Sequence, residues 1–373
     1  MLTPLDYQLM SQAIIEARKG QYSTSPNPAV GCLITDGNTV ACGFHEKAGQ
    51  GHAEVNALKE ANLLGVNLSQ ATAYVTLEPC SHFGKTPPCC EALSASGIKR
   101  VVYAMQDPNP VVSGKGLKHL RDADIQVDGP LLEEEAYALN RGFFHRMKTG
   151  LPWFFAKTAS SLDGRTAMAS GESFWITGPQ ARAGVQRLRA KSCAIISGIG
   201  TVLADDPQLN VRDERFALKT YGIRQPLRVI VDSQCRIPLE AKLVNDGGNT
   251  LIAYCKANQN TLQALKEKNI ETVQLDNGQG QVDLLALLKF LAGKQCNTVM
   301  LEAGSTLFGA CLEQQLLNEV NAFVAPTLLG SDAQPLATLP FTKMSQQIRF
   351  TPTNIQQIGN DILLTLAPAE PGD

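Results

Sequence analysis

The chain has 373 residues, and single hydrophobic cores stop growing at roughly 250 to 300 residues, so two domains are expected. Hydrophobic residues make up 44% and charged residues 18%, too apolar a balance for a disordered chain. A formal net charge of -2 supplies no general attraction to a phosphate backbone or an anionic bilayer, which argues against nucleic acid and membrane as partners.

Residues 1–21 carry Leu5, Leu9, Ala13, Ile14 and Ala17 at helical spacing, interrupted by Asp6, Glu16, Arg18 and Lys19, which predicts an amphipathic surface helix without the apolar block of a signal peptide. No stretch approaches the roughly 20 apolar residues that span a bilayer; a cytoplasmic location is the expectation. Apolar runs at 29–34, 71–76 and 100–105 alternate with helical patterns, which implies a sheet covered by helices. A helix is predicted over 133–147, and Lys148-Thr149-Gly150-Leu151-Pro152 carries the glycine and proline that end one. Beyond it, strands are predicted at 153–158, 194–197, 227–232, 250–254, 298–302, 319–324 and 362–366. The predicted domains are therefore 1–147 and 150–368, both of α/β class, with no internal repeat.

Ten cysteines are dilute in so long a chain, so most are expected to be reduced thiols, among them Cys32, Cys42, Cys193, Cys255 and Cys296 in apolar, strand-like contexts. Cys80, Cys89 and Cys90 stand apart. A catalytic zinc takes three protein ligands of nitrogen and sulfur type and keeps one position open. His52 with two thiolates meets that need, and Glu54, two residues on, sits where it moves protons without ligating; the pattern matches the His-x-Glu and Pro-Cys signature of zinc deaminases. Helical spacing of Val55, Leu58, Ala61 and Leu64 places His52 and Glu54 in a first turn. Pro87-Pro88 opens a second helix, where the dipole favours a Cys89 thiolate. Cys80 would follow a strand over 73–77. Eight residues separate Cys80 from Cys89, not two; a one-residue shift would exchange Cys89 for Cys90, and a structural zinc with His82 as fourth ligand is the bland alternative.

In the second half Gly198-Ile199-Gly200 lacks the third glycine of a dinucleotide fingerprint, since position 203 is Leu203, and is rejected. The predicted strand at 298–301 runs into Glu302-Ala303-Gly304-Ser305-Thr306, which reads equally as an anion site at a helix start or as a capped helix.

The strings Ser25-Pro26-Asn27-Pro28-Ala29-Val30-Gly31, His52-Ala53-Glu54, Pro79-Cys80-Ser81-His82-Phe83-Gly84-Lys85-Thr86-Pro87-Pro88-Cys89 and Asp107-Pro108-Asn109-Pro110 resemble the deaminase half of the bifunctional riboflavin-biosynthesis proteins of the RibD family. The lengthened Cys-to-Cys segment is a trait of that family. The resemblance continues through Ala156-Lys157, Ser161-Leu162-Asp163-Gly164-Arg165, Trp175-Ile176-Thr177, Arg189, Thr201-Val202-Leu203-Ala204-Asp205-Asp206-Pro207 and Glu302-Ala303-Gly304. It implies a cytidine-deaminase-like α/β/α domain followed by a dihydrofolate-reductase-like α/β domain. It implies one Zn2+ held by His52, Cys80 and Cys89, Glu54 as proton shuttle, and Asn27 and His45 orienting a pyrimidine. It implies NADPH against Ala159, Trp175, Thr201, Asp205 and Ser233, and against Gly304, Ser305, Thr306, Leu307, Phe308, Gly309 and Ala310. Ser173, Arg189, Leu209, Arg212 and Glu302 would meet the substrate, a small phosphorylated pyrimidine, with guanidinium forks suited to phosphate oxygens. A homo-oligomer is expected.

The bland readings are a turn for Asn27, an exposed surface position for His45, surface salt bridges for Arg189 and Arg212, a core filler for Trp175 and a turn for Asp205. Two other functions compete. A nucleoside or tRNA-base deaminase with a structural partner domain leaves Arg189, Arg212 and residues 302–310 without work, and a zinc-stabilised binding protein leaves Glu54 unexplained.

Overall fold

The computed structural model describes residues 1–82, 87–109 and 112–369. The chain divides into two compact units, Met1–Gly150 and Leu151–Asp373.

In the first unit the order is α1 (Pro4–Arg18), β1 (Gly31–Thr35), β2 (Val40–Phe44), α2 (Ala53–Leu64), β3 (Thr72–Val75), α3 (Cys89–Ala95), β4 (Arg100–Tyr103), α4 (Lys115–Asp122), β5 (Gln126–Asp128) and α5 (Glu133–Thr149). The strands form one sheet in the order β2-β1-β3-β4-β5, antiparallel between β2, β1 and β3 and parallel onward. Alternation along the strands separates two cores. Cys32, Ile34, Ala73, Val75 and Val101 face one cluster, which includes Ala53, Ala57 and Ala61 of α2 and Leu117 of α4. Leu33, Tyr74 and Val102 face the other, with Leu9, Ala13 and Ile14 of α1 and Ala136 and Phe144 of α5. The unit is thus a helix–sheet–helix sandwich.

Two details of α1 differ from its sequence pattern. Leu5 is exposed, whereas Asp6 is 1% exposed. Asp6 closes a capping box with Thr3 at the helix start, accepts from Tyr74 Oη at 2.7 Å and pairs with Arg100 at 2.7 Å. Partners from β3 and β4 make burial of this carboxylate tolerable. Glycines allow two close approaches near the site: a Cβ on Gly43 would lie 2.3 Å from the Ala57 nitrogen, and one on Gly116 would lie 1.9 Å from the Pro79 oxygen. The first seats β2 on α2, and the second seats the residue before Cys80 on α4.

The second unit runs β6 (Trp153–Ser161), β7 (Arg165–Ala167), α6 (Pro179–Lys191), β8 (Ala194–Gly198), α7 (Ile199–Asp205), β9 (Leu227–Val231), α8 (Lys242–Asn245), β10 (Thr250–Tyr254), α9 (Gln259–Glu267), β11 (Glu271–Gln274), α10 (Leu284–Gly293), β12 (Thr298–Leu301), α11 (Ser305–Glu313), β13 (Glu319–Ala325), β14 (Gln334–Pro335), β15 (Phe350–Ile358) and β16 (Asp361–Pro368). Its main sheet has the order β11-β10-β9-β8-β12-β6-β13-β16-β15, parallel from β11 to β13 and antiparallel through β16 and β15. Phe154, Ala194, Ile196, Val299 and Leu301 face α10 and α11; Phe155, Ile195 and Met300 face α6 to α9. Chain order reverses around β8, β12 and β6. In open α/β sheets the crevice outside the carboxyl ends of the strands at such a reversal is where ligands bind.

Among the described residues no helix is long and apolar enough to cross a membrane, and all ten cysteines are free.

Candidate functional site

In the first unit three element ends meet. His52 is the N-cap of α2, one position before the helix and not within its first turn, and Glu54 lies inside that turn. Cys89 is the first residue of α3, behind the N-cap Pro88. Cys80 follows β3, which ends at Val75, earlier than its apolar run suggests. Cys80 is tied back to α3 by backbone donation from Cys90 to its carbonyl at 3.2 Å. His52 Nδ1 stands 3.2 Å from the Cys89 sulfur and 3.5 Å from the Cys80 sulfur. A tetrahedral zinc with bonds of about 2.0 to 2.3 Å keeps its nitrogen and sulfur donors roughly 3.5 Å apart, so the donor set fits that ion. Among the described residues this is the one such group. Cys90 instead packs into the hydrophobic core. His82 is exposed, and residues 83–86 and Pro110 of the quoted motifs lie outside the described residues.

The two sulfurs share a proton, with Cys89 pushed well above the ordinary thiol range by its hydrogen bond to Cys80 and by burial. A hydrogen bond from Cys89, together with His52, holds the Cys80 sulfur well below the ordinary thiol range despite burial, and thiolates are what ligate metals. Burial, reinforced by Cys80, pushes the Glu54 carboxyl up to about 7. Nearby Asp107 is pushed up to about 6 by burial.

His45 is 2% exposed, so it is no surface residue. Its Nδ1 lies 3.0 Å from the Gly51 carbonyl, which only accepts, so this nitrogen carries the proton. Burial lowers the pKa of the ring and favours its neutral form. Nε2 is then an acceptor, and Asn27 Nδ2 donates to it at 3.0 Å. The His45 and His52 rings meet edge to face at 5.1 Å. Asn27 therefore belongs to a turn, with its backbone N–H on the Thr24 carbonyl, and also, through His45, to the group around His52.

In the second unit a charge cluster occupies the carboxyl ends of the parallel strands. Glu302 follows β12 directly. Arg189 of α6 grips it with two bonds of 2.9 and 2.8 Å and reaches the Asn210 carbonyl at 3.0 Å. The pair is largely enclosed, with side-chain exposures of 11% and 17%, so the surface-bridge reading of Arg189 fails and its fork is engaged by protein. Burial raises the Glu302 carboxyl, but the charges of Arg189 and Lys157 bring it below its ordinary value. Burial lowers Lys157. Lys157 carried no assigned role in the sequence; its signal was a lysine within the apolar strand Trp153–Ser161. Leu209, beside this cluster, is buried with φ of 49°, a left-handed conformation that costs a bulky residue energy and recurs at functional sites. Arg212 is exposed and its backbone N–H is held by Gln186 at 2.8 Å.

The other expected cofactor residues sort by position. Gly304 caps α11. Leu307 stands 3.6 Å from a Cβ placed on Gly198, so the ends of β8 and β12 adjoin. Phe308 points into the core, and a Cβ on Gly309 would lie 2.1 Å from the Thr338 oxygen, so these two turn away from the strand ends; Ala310 is half-buried and packs against the same core. Thr201 lies on α7 and Asp205 ends it, exposed, so Asp205 is a helix end and not a turn. Ser233, just after β9, accepts from the Val282 backbone N–H through its hydroxyl. Ala159 is half-buried on β6, and Ser173 lies two residues before Trp175. Trp175 is 68% exposed with the Arg182 guanidinium 4.4 Å from its ring centroid, so it fills no core. Ser197 Oγ and Thr158 Oγ1, near the strand ends, are buried and have no hydrogen-bond partner among the described residues.

The riboflavin biosynthesis protein RibD of Escherichia coli is 45% identical over 372 residues, covering 98% of this chain and 100% of that one. The chain belongs to the RibD family. Its residues 4–105 match the cytidine and deoxycytidylate deaminase zinc-binding region, and residues 152–364 match the RibD C-terminal domain. The solved structure of Acinetobacter baumannii RibD, form 1, is 45% identical with a TM-score of 0.88, covering 98% of this chain and 99% of that one. A diaminohydroxyphosphoribosylaminopyrimidine deaminase/5-amino-6-(5-phosphoribosylamino)uracil reductase from Thermotoga maritima is 32% identical with a TM-score of 0.84, covering 98% and 99%. RibD proteins are bifunctional deaminase–reductases of riboflavin biosynthesis, and this chain has both parts: a cytidine-deaminase-like unit and an α/β reductase unit.

Proposed function

We propose that residues 1–147 deaminate a phosphorylated ribosylaminopyrimidine at one zinc per chain, and that residues 150–368 reduce the ribosyl group of the product to ribityl with NADPH. The convergence of His52, Cys80 and Cys89 around one point, with Glu54 buried beside them, carries this reading. When bound there, zinc supplies a Lewis acid that makes water nucleophilic near neutral pH. Glu54 would take one proton from the attacking water and pass it to the ring nitrogen, then carry the second, from the hydroxyl added to the ring carbon, to the amine, which leaves as ammonia as the carbonyl forms. Asn27 and His45 orient the pyrimidine, and the bond from Asn27 Nδ2 to His45 leaves Asn27 Oδ1 as an acceptor for the ring.

In the second unit NADPH, when bound, supplies the hydride. Its place is at the carboxyl ends of β8, β9 and β12, flanked by Ala159, Thr201, Asp205, Ser233, Gly304, Ser305, Thr306 and Leu307, with the exposed Trp175 nearby. Arg189 holds Glu302 in place against the substrate chain, while Ser173 and Leu209 line it. Arg212, with its exposed guanidinium, takes the phosphate. The task of these groups is to bring donor and carbon within a near-attack distance of about 3 to 3.5 Å. The test is a two-step assay on the zinc-loaded protein with the phosphorylated diaminopyrimidine. Ammonia release followed by NADPH consumption is expected; NADPH consumption that does not require prior ammonia release sinks the order of steps, and neither reaction sinks the reading.

A further inference from the structure

Asn140 lies within α5, far from the zinc ligands in the chain, and is 7% exposed. Its side-chain amide makes two bonds to one residue: Oδ1 accepts from the Ala29 N–H at 2.8 Å, and Nδ2 donates to the Ala29 carbonyl at 2.8 Å. Ala29 is 3% exposed and precedes β1, which begins at Gly31, so the strand ladder does not serve it. Buried main-chain groups need partners, and an asparagine amide offers a donor and an acceptor together. Helix formation does not explain the residue. Asparagine competes with helical hydrogen bonding, and the α5 backbone departs from helical geometry at Asn140, with φ -117° and ψ 20°.

What Ala29 anchors is the pair proposed to hold the pyrimidine. Asn27 is joined to it through Pro28, whose ring fixes φ and transmits displacement. On the other side the Val30 carbonyl accepts the His45 N–H at 2.9 Å. A shift of this segment therefore moves Asn27 and His45 together. Gly31 is held separately, by Thr76 Oγ1 at 3.1 Å and by its close seat on α1.

We propose that Asn140 is the positioning residue of the pyrimidine site, its paired bonds to Ala29 setting where the Asn27–His45 pair stands. The inference rests on the reading that this pair orients the pyrimidine. Its test uses the full-length, zinc-loaded protein with Asn140→Ser, Asn140→Asp, Asn27→Ala and the double variant Asn27→Ala/Asn140→Ser. Zinc content, kcat and KM for ammonia release, and reduction of deaminated substrate are measured for each. Serine is too short to span both Ala29 groups, and aspartate keeps only the acceptor. Each single variant should raise KM for deamination, lowering kcat/KM roughly ten- to a hundredfold, with zinc content and the reduction rate unchanged. The double variant should lose less than the product of the two single losses, because Asn140 acts in part through Asn27 and only its effect on His45 remains. Losses that multiply in the double variant would show a merely structural Asn140. An unaltered KM in Asn140→Ser, when Asn27→Ala raises it, overturns the proposal alone; an unaltered KM in Asn27→Ala overturns the pyrimidine reading and the proposal with it. If Asn140→Asp does not fold, Asn140→Ser decides.

Discussion

His52, Cys80 and Cys89 reach one point from the starts of α2 and α3 and the loop after β3, whereas Lys157, Arg189 and Glu302 come from β6, α6 and the end of β12, distant in the chain. A metal requires donors of particular types at fixed short distances, so each of the three candidate ligands in the first unit would be indispensable to one. A cofactor and substrate cleft sums many weaker contacts, several of them through backbone. Loss of one group there should be graded, except where it leaves a buried charge alone. Even the loop clamps differ: Asn140 holds Ala29 in the buried interior, while Gln225, an exposed residue, closes a similar pair on Val211 at 2.9 and 2.8 Å.

The sharpest break between the units is Cys80→Ser, which should release the zinc and abolish ammonia formation while reduction of deaminated substrate continues; metal analysis that finds full zinc removes Cys80 from the site. Cys90→Ser should keep the metal, since Cys90 packs in the core. Glu54→Gln comes next: zinc stays, and deamination falls by about 10² to 10⁴, the range of general acid–base catalysis. Ammonia release near the wild-type rate in that variant would take Glu54 out of the mechanism. In the second unit, Arg189→Ala leaves Glu302 without its bidentate partner, and breaking a buried pair from one side costs about 3 to 5 kcal/mol. Calorimetry should show the transition of this unit lowered, and an unchanged melting profile would mean that solvent already reaches the pair. Arg212→Ala should have the smallest effect, about a tenfold rise in KM for phosphorylated substrate in the reduction step and little for its dephosphorylated analogue. Equal losses for both substrates would make Arg212 structural.

Much of the first site was open to reading because its chemistry is written in residue type and short spacing. His52 and Glu54 stand two apart at a helix start, prolines precede Cys89, and the alternation of β1, β3 and β4 follows directly from which side chains are apolar. The same holds for six of the seven strands foreseen after residue 150, since a parallel strand buried on both faces needs a continuous apolar run; the seventh, β16, is antiparallel. Short or polar strands such as β5, β7 and β15 carry no such run and were not foreseen.

Pairings across the fold are a different matter. Asp6 looked like a solvated helix residue and is buried because Tyr74 and Arg100 arrive from neighbouring strands. The surface reading of His45 fails because the ring is buried, with Gly51 and Asn27 determining its tautomer. Arg189 meets Glu302 only because β12 inserts between β8 and β6. Residue types and local periodicity determined the long apolar elements and the metal chemistry that a histidine with two cysteines would suit, while the fold decided that Cys90 packs in the core and Cys89 faces His52. The order of strands in each sheet decided which charges are neutralised, which amide holds which loop and which lysine is enclosed. Hydrogen bonds and ion pairs act over about 3 Å, and no local pattern states which distant residues the fold brings within that distance.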